Sequence, residues 1–495
     1  MDIKENGHWK VYKKGSEPKE LYDDIHWARL RDGYYPYLPY DLSNLDCIER
    51  CLKSNDIYVY YDFDTNLNDY YPEIVFSVSP EKNCNVLKFV SGFKIYCNIK
   101  PELLKILKNK LICVGVGDND EVFTRIEKLE KLGEIYEKYA SSIELTRDDL
   151  IFLYEIEDTI GSFGTMPDLR ISEIKNKRNA HEDYKTIFDG SIKKINKDLY
   201  LPVKSLEGIT LPLEIMGSLH MNEIEVLENF TFPKLHGWLY ADKLKYAKNV
   251  VIPYVGCDLK CYYSGSLISF NNLEVASNLV FPRTVNNLYL GSLKKIDSVQ
   301  LPDFVYDCLN LSSVEIIENY VFPKYVNCMN LKSVKKMKNV TFGTVGWHMF
   351  LDSLEYVENV TLPKRYGEDT FRSSPSLAFP NLKTVINLAM PSSYGKEAWI
   401  SFDSLEYANS LLFYDELSGV KRIGFYALKC LEGVQLPKKM QGSIVFGELN
   451  YSDNMMLPDV GDGKIEFADG VYGNHNVQQT GGQKVKKLSF VSKNN

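Results

Sequence analysis

Between Val203 and Pro458 the apolar and polar positions of this chain recur in one short pattern, twelve times over. Numbered back from the residue that closes each copy, apolar side chains stand at −9, −6, −3 and −1, and −4 is usually asparagine. LKYAKNVVIP (244–253), LKKIDSVQLP (293–302) and LEYVENVTLP (354–363) are the plainest copies. The closing residues are Pro212, Pro233, Pro253, Pro282, Pro302, Pro323, Gly343, Pro363, Pro391, Tyr414, Pro437 and Pro458, and seven of the eleven intervals between them are 20 or 21 residues. A fixed period in this range predicts a solenoid, in which no coil can bury its apolar face except against its neighbours.

The −3 and −1 positions alternate as strand residues do (Val250 and Ile252, Val360 and Leu362), and a second alternation sits at −14 and −12 (Leu239 and Ala241, Leu288 and Leu290, Met349 and Leu351). Each coil therefore contains two extended segments joined by tight turns. The −4 column holds Asn229, Asn249, Asn278, Asn319, Asn339, Asn359, Asn387 and Asn454, with Gly208, Ser298, Ser410 and Gly433 in the other copies. These residue types accept a positive φ or bond the backbone locally, and amides stacked from coil to coil can also bond one another, so the column is assigned a structural role. Proline ends each strand where an N–H would otherwise lack a partner.

Two outward columns bear on function. The −2 column, from Thr210 to Met456, carries no charge, which excludes a phosphate-binding stripe. The −13 column carries His220, Tyr240, Tyr289, Asn310, Asn330 and Phe350, and aromatics among asparagines suit contact with protein or glycan. Three intervals are long: Pro253 to Pro282, Pro363 to Pro391, and Pro391 to Tyr414. Insertions in a solenoid become loops on one face. The candidate contact residues are accordingly Tyr262, Tyr263, Tyr366, Phe371 and Arg372 in the insertions, with Tyr240 and Tyr289 on the strands.

The spacing L-x-x-φ-x-N-φ-x-φ-P resembles a leucine-rich repeat, and VKRIGFYALKCLEGVQLP (420–437) is most similar to the bacterial surface-type repeats. That resemblance implies a repeat fold and a binding role, and says little of activity.

Ahead of the repeats, IYVYYDFD (57–64), EIVFSVSP (73–80) and VLKFVSGFKIY (86–96) read as antiparallel strands. PELLKILKNKL (101–111) reads as a helix with proline in its first turn, followed by helices over 122–139, from Thr146 through DLIFLYEIEDTI, and over 168–178. The domain reading is an α/β module at 1–118, a helical linker and N-terminal cap at 119–197, the solenoid at 198–460, and a C-terminal cap and tail at 461–495. FLYEIEDTIGSFGTMPDLRISEIKNKRNAHED (152–183), with WKVYKKGS, DIYVYYD and PEIVFSV before it, resembles a module of uncultured small-genome bacteria that is partly similar to the PcfJ-like domain of conjugative elements. In that module a Trp-Cys pair precedes the first core strand; here the matching place is Tyr40–Asp41, so the resemblance implies architecture and not chemistry.

Composition narrows the reading further. The net charge of −8 lies mostly before residue 200, which disfavours nucleic-acid binding. The N-terminus lacks an apolar signal core and no eighteen-residue apolar run occurs, so a cytoplasmic protein without a membrane span is expected, with export by another route left open. Ten scattered cysteines, without the spacing of a zinc site, read as free thiols. No P-loop, dinucleotide fingerprint, zinc-protease helix or nucleophile elbow is present. His181 in RNAHED and the carboxylates Glu155, Glu157 and Asp158 read as charge pairing and a solvated helix face. No catalytic residue, metal site or cofactor is assigned. The expected function is a binding scaffold for a protein partner, with an enzymatic or nucleic-acid-processing N-terminal module, or glycan binding, as the alternatives.

Overall fold

The computed structural model describes residues 7–31, 42–64, 69–81, 85–93, 99–117, 121–164, 166–256, 265–367, 376–428, 430–432, 434–448, 451–452, 456–467 and 478–479. The chain divides into two compact units, Met1–Ile187 and Phe188–Asn495.

The first unit is α+β. Strands β1 (His8–Tyr12), β2 (Asp56–Asp64), β3 (Asp69–Pro80) and β4 (Asn85–Gly92) form an antiparallel sheet in chain order. Alternation in β2 turns Ile57, Val59 and Tyr61 to one side, where they join Leu21 and Ile25 of helix α1 (Pro18–Arg31) and Ile48 and Leu52 of helix α2 (Leu45–Leu52) in one core. On the other side Tyr58 stacks on Phe76, and Lys110 of helix α3 (Leu104–Cys113) lies over the Trp9 and Tyr58 rings. The three antiparallel strands expected from the sequence are present; β1, α1 and α2 were not expected as elements.

The rest of the unit is helical. Helix α4 (Glu121–Ala140) buries Val122, Ile126, Leu129 and Leu132 at helical spacing. Helix α5 (Arg147–Leu153) opens on the expected cap: the Thr146 side chain accepts from the Asp149 N–H, and Asp149 accepts in return from the Thr146 N–H. It does not run on to Ile160 as the sequence suggests. The chain turns left-handed at Glu155 (φ 55°), whose carboxylate accepts the Ile160 N–H at 2.8 Å. Glu155, Glu157 and Asp158 therefore share no helix face. Helices α6 (Leu169–Asn176) and α7 (Ala180–Ile187) follow.

The second unit is a β-solenoid of about twelve coils, and every strand pairing in it among the described residues is parallel. One side of the coils is a continuous ten-stranded sheet, from Leu199–Tyr200 to Ser393–Tyr394. The opposite segments, which hold the −6 to −2 positions, form a four-stranded sheet ending at Val299–Gln300 and a seven-stranded sheet starting at Ile316–Val321. The long Pro391-to-Tyr414 interval adds Ala398–Phe402 to a further five-stranded sheet.

The repeat columns explain this arrangement. Leu244, Ala247, Val250 and Ile252, at −9, −6, −3 and −1 of one coil, are all at most 1% exposed, as are Ile268 and Phe270 at −14 and −12 of the next and Leu288 and Leu290 in the coil after it. In the C-terminal coils the −12 column is aromatic: Phe379, Phe402, Phe425 and Phe446 stack with centroids 4.9, 5.1 and 5.4 Å apart. Those distances match the strand spacing, so each ring fills one rung.

The asparagine column does what its residue type allows. Asn229, Asn249, Asn278, Asn319, Asn339, Asn359 and Asn387 all have φ between 52° and 55°. Each side chain then lies beside the next, and Nδ2 donates to the Oδ1 of the preceding coil: Asn249 to Asn229 at 2.8 Å, Asn278 to Asn249 at 3.1 Å, and Asn339, Asn359 and Asn387 to their predecessors at 2.8, 3.0 and 2.8 Å. Ser298 is not left-handed, and there the ladder and the sheet beneath it both break. Tyr320 bridges the break by donating its hydroxyl to the Val299 carbonyl at 2.8 Å. Asn454 lies outside the described residues. Gly343 replaces proline where a Cβ would lie 2.1 Å from the Pro323 carbonyl oxygen.

A candidate binding face on the ten-stranded sheet

Alternation fixes which side chains the ten-stranded sheet shows to solvent. With −14 and −12 turned inward, −13 and −15 must point out. In most coils this segment is split into two short strands with a bend between them. In four consecutive coils it is a single strand: Thr284–Tyr289, Phe304–Asn310, Tyr325–Asn330 and Thr344–Phe350. Their pairing shifts register between Val285 and Asn287, between Val305 and Cys308, and between Val326 and Cys328. Such bulges re-aim side chains, and the residues they carry are Tyr306, Asn327 and Trp347.

The outcome is a run of aromatic rings along the sheet. Tyr200, His220 and Tyr240 stack on successive coils with centroids 4.3 and 4.8 Å apart, and Trp238 meets Tyr240 edge-on at 6.1 Å. Further along, Tyr306 lies between Phe304 and Tyr325, and His348 lies between Trp347 and Phe350. Tyr200 is 59% exposed, Tyr306 53%, Phe350 38% and Trp238 37%. Single exposed aromatics are common, but clusters of them on one sheet face are a mark of an interaction surface.

The same region is nearly free of charge. The four long strands contain no lysine or arginine, and Asp307 is their one carboxylate. Burial lowers the His348 and His220 imidazole pKa values from the ordinary 6.5, so both rings stay neutral around pH 7. The opposite sheet carries ion pairs within its strands, Lys336 with Glu318 and Lys338 with Glu358, whereas on this side Arg283 and Lys324 pair with Asp303 just ahead of the long strands. Three buried polar atoms on the long strands, Asn327 Oδ1, Trp347 Nε1 and His348 Nδ1, have no hydrogen-bond partner among the described residues. A buried group in that condition costs about 1–3 kcal/mol, and each needs a reason.

Of the sequence-derived contact residues, Tyr240 and Tyr289 lie on this face, in its −13 column. Tyr366 does not. It is fully buried, donates its hydroxyl to the Ser376 carbonyl at 2.7 Å, and accepts from the Met349 N–H at 3.4 Å. It pairs in register with Val345, an inward position, so it belongs to the core and not to a contact loop. Tyr262, Tyr263, Phe371 and Arg372 lie outside the described residues. Tyr306, Asn327 and Trp347 escaped the sequence reading because they lie at the register shifts, and Trp238 and His348 because they stand in the −15 column, which alternation also turns outward.

One buried polar cluster of the first unit centres on Asp183. Asp183 accepts from the Tyr154 hydroxyl at 2.8 Å and from Arg178 Nε and Nη2 at 2.8 and 2.6 Å. Arg178 thus pairs with Asp183, while His181 receives no part in it. No three His, Cys, Asp or Glu side chains among the described residues converge to hold a metal ion, and no described helix is long and apolar enough to cross a membrane. No family model, curated protein or solved structure matches this chain.

Proposed function

We propose that this protein is a binding scaffold whose ten-stranded face recognises a protein partner, centred on the four long strands between Thr284 and Phe350. The observation that carries this reading is an uncharged surface that exposes aromatic rings, Tyr200, Trp238, Tyr306 and Phe350 among them. Trp and Tyr dominate interface hot spots because they bury large area while keeping a polar handle. The absence of lysine and arginine from the four strands supports protein over nucleic acid.

The test compares full-length protein with the Trp238→Ala/Tyr306→Ala variant, using Val321→Ala on the opposite sheet as control, each as bait in native lysate of the source cells. Truncating two hot-spot aromatics should deplete a retained protein about thirtyfold or more, and the control should retain it. Equal retention by all three baits, or retention of nucleic acid or glycan alone, refutes the reading.

A further inference from the structure

Two cysteines share one outward column of the ten-stranded sheet. Cys308 and Cys328 are directly paired in register on adjacent parallel strands, with Asn287 one rung before them and His348 one rung after. Both are half-buried free thiols. Residues at one register position on neighbouring strands project to the same side of the sheet, with Cα atoms about 4.8 Å apart. That lies inside the Cα range of about 4.4–6.8 Å found across disulfides, and a local shift of a few tenths of an ångström, to about 4.5 Å between the Cβ atoms, closes the bond. Each thiol is the other's neighbour on the sheet, and that interaction raises the Cys308 pKa and lowers that of Cys328.

We propose that Cys308 and Cys328 form a reversible inter-coil disulfide, a redox-modification site in the middle of the exposed face. The oxidant is a small-molecule disulfide. The Cys328 thiolate attacks it, breaking its S–S bond, forming a mixed disulfide and releasing one small thiolate. The Cys308 thiol loses its proton to solvent, its sulfur attacks the Cys328 sulfur, and the second small thiolate leaves. Two protein S–H groups become one S–S bond, and the small disulfide is reduced to two thiols. A metal centre is the weaker reading of the column, because no three ligating side chains converge there. The inference stands independently of what the face binds.

The test treats folded full-length protein with oxidised glutathione, alkylates the remaining thiols, and maps tryptic peptides by mass spectrometry. The expected product joins the peptide carrying Cys308 to the peptide carrying Cys328, two hydrogens lighter than their sum, and dithiothreitol restores both thiols. In Cys308→Ser, Cys328 should instead accumulate as the glutathione adduct, since no second thiol resolves it. Wild-type protein that carries two separate glutathione adducts, keeps both thiols alkylatable, or joins either cysteine to a different one overturns the proposal.

Discussion

Asn339 tests the physical account of the repeat most directly. It sits mid-ladder, donating to Asn319 Oδ1 at 2.8 Å and accepting from Asn359 Nδ2 at 3.0 Å, with φ at 54°. Asn339→Ala removes both bonds and leaves a Cβ in left-handed backbone without a polar side chain to compensate. The bonds are solvent-exposed, so each contributes about 0.5–1 kcal/mol. The left-handed conformation costs alanine about 1–2 kcal/mol, of which asparagine escapes part. The expected loss is about 2–3 kcal/mol. Asn339→Gly removes the same two bonds but relieves the backbone, at the expense of greater freedom in the unfolded chain, and should lose about 1–2 kcal/mol. Solenoids open locally, so global melting is a blunt readout. Native-state hydrogen exchange of the Lys336–Thr341 strand reads the right unit, and opening should rank alanine above glycine above wild type. If glycine opens as readily as alanine, left-handed backbone is not the reason for asparagine here. If both exchange at the wild-type rate, the ladder contributes nothing.

Two further outcomes follow from buried charge and burial. Asp183→Ala strands Arg178 and Tyr154 without their shared acceptor and should cost about 3 kcal/mol, lowering the melting of the helical far-ultraviolet signal by about 6–12 °C; a shift under about 2 °C would show the cluster to be dispensable. Because His220 and His348 have folded pKa values below 6.5, the unfolded chain takes up protons first on acidification. Stability present above pH 6.5 is therefore lost as pH falls through the folded values. In His220→Phe/His348→Gln the melting temperature should be flatter from pH 7 downward, while the acid loss tied to Asp149, whose burial is outweighed by bonds from Lys138 and Thr146, remains; an unchanged slope removes the histidines from the account.

What was legible in the sequence was whatever depends on nearest-neighbour stacking. The −9, −6, −3, −1 and −14, −12 columns are fixed by the need to bury a face against the adjacent coil, so Leu244 or Leu288 could be placed from periodicity alone. The −4 asparagines were legible because few residues accept a positive φ. The candidate site was half legible: Tyr240 and Tyr289 lie in a regular column, but Tyr306, Asn327 and Trp347 sit where an extra residue shifts the register, and a bulge has no periodic signature. Tyr366 was misread for a related reason. Its neighbourhood in sequence is an insertion, yet its own position pairs with Val345, and long-range register outranks local composition. In the first unit, the end of α5 turned on Glu155 entering left-handed backbone, which an apolar run through Ile156 and Ile160 conceals.

The two sides of the solenoid divide their tasks in a way that bears on function. The side with the asparagines holds the amide ladder and the lysine–glutamate pairs, yet its sheet is interrupted between Gln300 and Ile316 where Ser298 breaks the ladder. Surface ion pairs contribute at most about 1 kcal/mol each, but repeated along neighbouring coils they fix the register. The ten-stranded side crosses the same coils without a break. It has neither ladder nor ion pairs on its four long strands, exposes Tyr306 and Phe350, and leaves Trp347 Nε1 and His348 Nδ1 without partners. If stability alone shaped both sides, the unbroken one should carry the more complete set of inter-coil bonds. Its inter-coil ion pairs, Arg283 and Lys324 with Asp303, stand ahead of the four long strands and not within them, so the longest strands present the least charged surface. The proposed interface would use that difference through its exposed rings, Tyr306 and Phe350, which a partner would cover.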